Sequence, residues 1–302
     1  MTGRDYTAAP RRAAALMRRL GLGRHALVVA AMMAPFLVLT AIVMVAPAAM
    51  LVAEAVRGPD GPTLAYVADL ASPTFELAAW NSVVLSLASA GLSLVAGLAI
   101  ALIANREDAG RHLPAAITSF SAVAANFGGV PLAFAFVSTL GLFGIVTRGL
   151  KALGIDIYGM GFTLYSIAGL AIAYAYFLTP LMVIVISPAI RAVRTDWLQA
   201  ARSLGASPGQ RLRLVVLPIL APSLVSAFVL LFGSAFSGYA TAYALTSGNI
   251  VLLTTEIGNV LTGDVASAPQ TGAALSVAMI AIMALLLAIS GWLGRRTKRG
   301  RR

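Results

Sequence analysis

Side chains that usually carry chemistry are scarce in this chain of 302 residues, which has no cysteine, two histidines and 11 carboxylates. Without cysteine there are no disulfides, thiolate zinc sites or cysteine nucleophiles. His25 and His112 sit at the borders of long uncharged runs, and no carboxylate pair or Ser/His/Asp cluster falls inside those runs. A phosphate-binding loop needs Gly-Lys-Ser/Thr, yet neither Lys151 nor Lys298 follows a glycine. Two groups of residues remain. One is the basic, glycine-punctuated stretch from Gln199 to Pro218, QAARSLGASPGQRLRLVVLP. The other is a set of polar and aromatic residues inside apolar runs: Asn126, Gly128 and Gly129, with Tyr174, Tyr176, Tyr239 and Tyr243. The first group is suited to docking and the second to lining a passage.

The docking stretch reads as helix, hinge and helix. Asp196 is expected as an N-cap, with Gln199 three residues on as its capping-box partner. The helix carries Trp197, Leu198, Ala200, Ala201 and Leu204, and Gly205 supplies the left-handed residue that ends it. Ser207, Pro208 and Gln210 then form a second start of N-cap, N1 proline and box partner. Arg211 and Arg213 follow, the apolar run resumes at Leu214, and Pro218 stands one turn inside it. The small residues Ala200 and Ala201 permit close approach by another protein, while Trp197, Leu198 and Leu204 offer apolar anchors. An amphipathic helix lying on lipid is the alternative reading of the same features.

The elements around these residues must be membrane spans. Hydrophobic residues make up 59% of the chain and charged ones 11%, against about 25% charged in soluble domains. The uncharged runs are Leu27–Ala53, Leu77–Asn105, Leu113–Thr147, Ile157–Ile190, Leu214–Thr255 and Val265–Gly294, each beyond the roughly 20 residues a spanning helix needs. The first run is too long for the roughly 7–15-residue core of a signal peptide, despite the cleavage-site-like Ala46-Pro47-Ala48 within it, and is expected to be retained. Six spans place both tails and two loops on one side. That side holds nineteen basic residues against four acidic ones, and the other holds three against seven. The positive-inside rule makes the richer side cytoplasmic, including residues 1–26, 295–302 and the docking stretch at 191–213. The net charge of +11 therefore reports topology and contact with membrane lipid, not nucleic acid.

The three longest runs exceed one straight helix, and the excess is expected as overhang outside the bilayer. Pro131, after Asn126-Phe127-Gly128-Gly129, is expected to bend or break the third span, and Pro180 and Pro188 to act similarly in the fourth. Such interruptions survive where neighbours or a polar cavity satisfy the freed backbone. They mark either a solute path or a packing kink. None of the six runs contains an acidic, basic or histidine side chain, which argues against proton coupling. Energy for active transport would then arrive through a partner, by way of the docking stretch.

Gln199-Ala200-Ala201, three residues, Gly205, nine residues, then Val215-Val216-Leu217-Pro218 resembles the EAA signature of ABC importer permeases, whose pattern is Glu-Ala-Ala, Gly and Ile-x-Leu-Pro at the same spacing. The resemblance runs from about Asn81 to the C-terminus and includes Asn81-Ser82 and Leu204-Gly205-Ala206-Ser207. It implies an all-α type I importer fold with six spans in a bacterial inner membrane and both termini cytoplasmic. The partners it implies are a cytoplasmic ATPase dimer, a second permease or second copy, and an extracytoplasmic substrate-binding protein. ATP and Mg would belong to the ATPase, this chain binding no cofactor. Asp196, Trp197, Leu198, Gln199, Ala200, Ala201, Leu204, Gly205, Arg211 and Pro218 would form the coupling element. Gln199 stands where the family usually has Glu, which removes one ion pair from the docking contact. The stretches 126–136 and 239–246 look most like the spermidine/putrescine-type branch, making a polyamine the leading cargo. A stand-alone secondary transporter or channel, or a structural scaffold, is the competing expectation.

Overall fold

The computed structural model describes residues 24–58, 61–106, 110, 112–262 and 269–299. Residues 1–23 and 300–302, most of the expected tails, lie outside the described residues. The chain divides into two units, Met1–Glu54 and Ala55–Arg302.

The first unit's helix begins with α1 (Arg24–Thr40), widens to a π segment at Ala41–Val45 and continues as α2 (Ala46–Ala55). The Ala46 N–H donates to the Ala41 carbonyl, one residue further back than in an α-helix. Pro47 follows at once. A proline lacks the N–H for its i−4 bond, and its ring clashes with that carbonyl. The wide turn takes up both defects.

The second unit is helical apart from a two-residue antiparallel pair, β1 (Arg57–Gly58) with β2 (Gly61–Pro62). Its helices are α3 (Ala65–Ala68), α4 (Pro73–Ala104), α5 (Leu113–Ala124), α6 (Gly129–Leu140), α7 (Ile145–Ala152), α8 (Ile167–Arg191), α9 (Thr195–Ser203), α10 (Pro208–Arg211), α11 (Leu217–Phe236), α12 (Ala240–Thr246), α13 (Leu253–Thr262) and α14 (Pro269–Arg299). Among the described residues six helical stretches are long and apolar enough to cross a membrane: Val29–Ala55, Pro73–Ala104, Gly129–Ala152, Ile167–Arg191, Pro208–Phe236 and Gln270–Gly291. The last helix continues to Arg299, so the basic residues 295–299 extend it.

The core lies where α4 and α11 pack on α8. One face of α4 is a row of small buried residues, including Ala78, Ser82, Ser86, Ser89, Ala90, Ser93, Gly97 and Ala101. Apolar lipid tails give helices little hydrophobic reason to associate, so close backbone approach and dispersion do the work. A Cβ at Gly97 would lie 2.6 Å from Met182 Cβ and 2.8 Å from the Thr179 carbonyl. Ser86 and Ser89 turn their hydroxyls back to their own helix, onto the Ser82 and Leu85 carbonyls. From α8 come Leu170, Tyr174, Leu178, Met182 and Ile186, and from α11 come Leu231 and Phe232, all enclosed.

One expectation is narrowed and one corrected. Pro180 and Pro188 lie within α8 and do not break it, the helix running from Ile167 to Arg191. The long run Leu214–Thr255 is not one helix with overhang. It ends as α11 at Phe236 and turns at Ser237–Tyr239 into the separate short helix α12, which packs on α6. The loop after α12 is then pinned to the start of the second span. Asn81 Nδ2 donates to the Val251 carbonyl at 3.0 Å, and the Leu253 N–H donates to Ser82 Oγ at 2.9 Å.

Candidate functional site

The docking stretch forms the expected helix, hinge and helix, with one change at its start. α9 begins at Thr195 and its N-cap is Arg194, in extended conformation and without a side-chain cap. Asp196 is therefore not the cap. Its carboxylate is held 2.7 Å from Arg194 Nη2, which keeps it from the backbone N–H groups a cap must reach, and the Asp196–Gln199 box does not form. The Arg194 guanidinium also lies 5.9 Å over the Trp197 ring.

The hinge follows the sequence closely. Gly205 has φ +79°, a region costing an ordinary L-residue about 1–2 kcal/mol. Its N–H donates to Arg202 at 2.9 Å and the Ala206 N–H to Ala201 at 3.0 Å, the paired bonds of a Schellman end. Ser207 then caps α10 reciprocally: the Gln210 N–H donates to Ser207 Oγ at 3.3 Å, and the Ser207 N–H to Gln210 Oε1 at 2.7 Å. Beyond Arg211 the chain repeats the device of the first unit. A π segment, Leu212–Val216, precedes Leu217-Pro218, and the Leu217 N–H donates to Leu212. The wide turn admits Pro218 without breaking the rod, which is continuous for 29 residues from Pro208 to Phe236.

Trp197, Ala200, Ala201 and Leu204 fall on one side of α9, at helical spacing. Leu204 is 88% exposed and Trp197 45%, while Gln199 and Ala200 are exposed and Ala201 half-buried. Trp197 and Leu204 thus leave apolar surface uncovered on this short helix. Leu198 lies a quarter-turn round and faces the end of α4.

The second group meets where two helices are interrupted. α5 stops at Ala124, and Asn126 spends its carboxamide on the Ala122 carbonyl at 2.8 Å, closing its own helix end. Gly128 is extended, and Gly129, at φ +72°, restarts the chain as α6. The Gly129 N–H donates 2.8 Å to Thr241 Oγ1 on α12. Across the other break, the Tyr174 hydroxyl donates to the Gly238 carbonyl. The interrupted third and fifth runs thus satisfy each other and α8.

Aromatic rings surround this locus. Phe127 and Phe136 meet Tyr176 edge-on at 6.4 and 5.9 Å between centroids, and Tyr239 stacks on Tyr243 at 5.3 Å. Tyr176, Tyr239, Tyr243 and Phe127 are partly open, whereas Tyr174 is fully enclosed. Tyr174 is thus corrected from a lining residue to a clamp on the break. Thr241, Gly238 and the Asn81/Ser82 anchor were not singled out for these roles. The available signal was Ser237-Gly238 inside an apolar run, a weak helix breaker beside a threonine. Among the described residues no group of His, Cys, Asp and Glu could hold a metal.

Residues 12–299 match the family described as "Binding-protein-dependent transport system inner membrane component". The chain belongs to this family of ABC importer permeases. The molybdenum transport system permease protein ModB of Mycobacterium tuberculosis is 29% identical over 239 residues, covering 78% of this permease and 85% of that protein. The spermidine/putrescine transport system permease protein PotB of Haemophilus influenzae is 30% identical over 118 residues, 38% of this permease and 40% of that protein. In fold, the permease resembles a bacterial ABC transporter that imports the acidic polysaccharide alginate, with TM-score 0.69, 17% identity and coverage of 90% and 96%. The MetNI methionine transporter matches with TM-score 0.56, 16% identity and coverage of 75% and 99%. The named cargoes of the relatives range from molybdenum and trehalose to thiamine and polyamines, so the polyamine branch is one of several.

Proposed function

We propose that this permease subunit couples ATP hydrolysis on a separate cytoplasmic ATPase to solute uptake, with the 194–218 loop as the input. The observation that carries this reading is the rod from Pro208 to Phe236. It starts at the capped hinge of the exposed helix and ends at the break whose Gly238 is held by Tyr174. At 1.5 Å per residue it is about 43 Å long, enough to carry movement at one membrane face to the far part of the span. Trp197, Ala200, Ala201 and Leu204 would seat in the ATPase, with Arg211 at the base of the rod and Pro218 just inside the membrane. Gln199 leaves this contact resting on apolar packing and arginine charge. Tilting the rod would shift α12 against α6 through the Thr241–Gly129 bond and open or close the aromatic-lined locus.

A second permease, or a second copy, would complete the pore, and a substrate-loaded binding protein would dock on the extracytoplasmic face. In this reading the protein sits in a bacterial inner membrane with both termini cytoplasmic, as the charge asymmetry supports. The exposed faces of Phe127, Tyr176, Tyr239 and Tyr243 suit an alkylammonium cargo through cation–π attraction, which supports a polyamine. In proteoliposomes assembled with the ATPase and binding protein, Gly205→Pro and Ala201→Arg should abolish uptake while the permease still inserts. Uptake at the wild-type rate in both variants would sink the coupling role. Competition of uptake by spermidine, but not by molybdate or trehalose, is the expected cargo result.

A further inference from the structure

We infer that the permease holds the phosphate of an anionic phospholipid in a cavity behind the coupling loop. The cavity, about 560 Å³, lies between the end of α4, the inner side of α9 and the start of the rod. Three guanidinium side chains line it, Arg106, Arg202 and Arg211, and no acidic side chain does so among the described residues. Each comes from a different element, so the convergence is tertiary and not a run of like charge in sequence. Ile103, Leu198 and Leu212 form the apolar part of the wall. Arg211 Nε is shut off from solvent and has no hydrogen-bond acceptor within the described structure. A buried donor left this way costs about 1–3 kcal/mol, which an incoming acceptor would recover.

The ligand must therefore supply an anion with several acceptor oxygens and an apolar portion beside it. Guanidinium forks match phosphate oxygens two at a time. Arg106 follows the end of the second membrane span, and Arg211 and Leu212 lie in the first turns of the fifth, which puts the cavity at headgroup depth. A phospholipid there would set its phosphate on the arginines and an acyl chain along Ile103 and Leu212. Basic pockets between spans bind anionic headgroups by this combination. Because Leu198 and Arg202 belong to α9 itself, the lipid would also fix that helix against α4. This inference rests on the loop lying at a membrane face and does not require its coupling role.

The test is native mass spectrometry of the full chain released from nanodiscs of phosphatidylcholine containing phosphatidylglycerol, with neither ATPase nor transport in the assay. The wild type should retain phosphatidylglycerol in preference to phosphatidylcholine. Arg211→Gln and Arg202→Gln should each lower that retention about tenfold or more, while Arg213→Gln, outside the cavity, should not. Arg202 is exposed, so its substitution decides the matter if Arg211→Gln does not fold. Equal retention by wild type and both cavity variants overturns the proposal. Displacement of the lipid by inorganic phosphate, which then binds in its place, overturns the lipid assignment in favour of a soluble anion. Loss of uptake in the Gly205→Pro variant with lipid retention intact separates this site from the coupling role.

Discussion

The hinge at Leu204–Ser207 and the break at Ser237–Tyr239 both stop a helix, yet they satisfy the freed backbone in opposite ways. At the hinge every bond is local: Gly205 to Arg202, Ala206 to Ala201, and Ser207 with Gln210. At the break the Ser237 and Gly238 N–H groups stay local, on Gly233 and Ala235, but the bonds that hold it to other helices are distant in sequence, 112 residues for Gly129 with Thr241 and 64 for Tyr174 with Gly238. A hinge that satisfies itself can travel as a rigid piece when a partner pushes it. A break held by other helices exists only in the assembled domain, and it registers the movement of any one of them. The two therefore suit input and response, and each can be broken separately.

Gly238→Ala should have the largest effect. The new Cβ would lie 2.7 Å from the Tyr174 hydroxyl, displacing an enclosed ring and its bond together, at about 3 kcal/mol. Reversible unfolding in mixed micelles should show this loss, and an unchanged midpoint would mean that the break is not clamped. Next comes Thr241→Val, which keeps the shape and leaves the Gly129 N–H without its acceptor, at about 1.5 kcal/mol. Thr241→Ser should restore most of it in the same assay. A valine variant as stable as the wild type would show that the Gly129 bond does not hold the two breaks together.

This contrast also explains what was legible in advance. Gly205, Ser207 and Gln210 were readable because their partners lie within three residues, so composition and spacing contain the whole motif. The six spans were readable because runs free of acidic, basic and histidine side chains have one stable environment, although the third span extends past its run to Ala152 and takes in Arg148 and Lys151. Asp196 misled because the local signal for a cap was intact, while the carboxylate had a stronger claimant in Arg194. The break at Ser237–Tyr239 was missed for the complementary reason. Nothing local compels it, and its stability comes from Tyr174 and from the Asn81/Ser82 anchor on the second span. Pro180 and Pro188 were read as bending or breaking the fourth span, and a helix with neighbours on several sides stays unbroken through them.

The local side of the comparison predicts smaller, confined effects. Ser207→Ala removes one half of the reciprocal cap and should cost about 1 kcal/mol. Gly205→Ala forces a Cβ into the left-handed region at a similar cost. Hydrogen exchange should place both losses within α9 and α10, leaving the protection of α6 and α12 unchanged. Deprotection of α12 in either variant would mean that the hinge is not self-contained and would remove the basis for treating it as a rigid input.

The smallest expected effect lies at the opposite end of α8, in a second self-satisfied turn. Asp156 Oδ1 accepts the Gly159 N–H at 2.9 Å and Oδ2 lies 3.0 Å from Lys151 Nζ. The backbone donor first, and the lysine after it, hold this exposed carboxyl below the usual carboxylate range. A folded-state pKa below the unfolded one means the turn's extra stability is present above the unfolded pKa and is lost as pH falls through the folded value. Protection of the Gly159 amide, corrected for intrinsic exchange, should hold from neutral pH to the ordinary carboxylate range and drop in stronger acid. Asp156→Asn should remove that pH dependence. The change should stay within residues 151–161, as at the hinge. Acid loosening that spread into α6, whose Leu140 carbonyl accepts the Tyr158 hydroxyl at 2.9 Å, would show that this turn belongs with the long-range break.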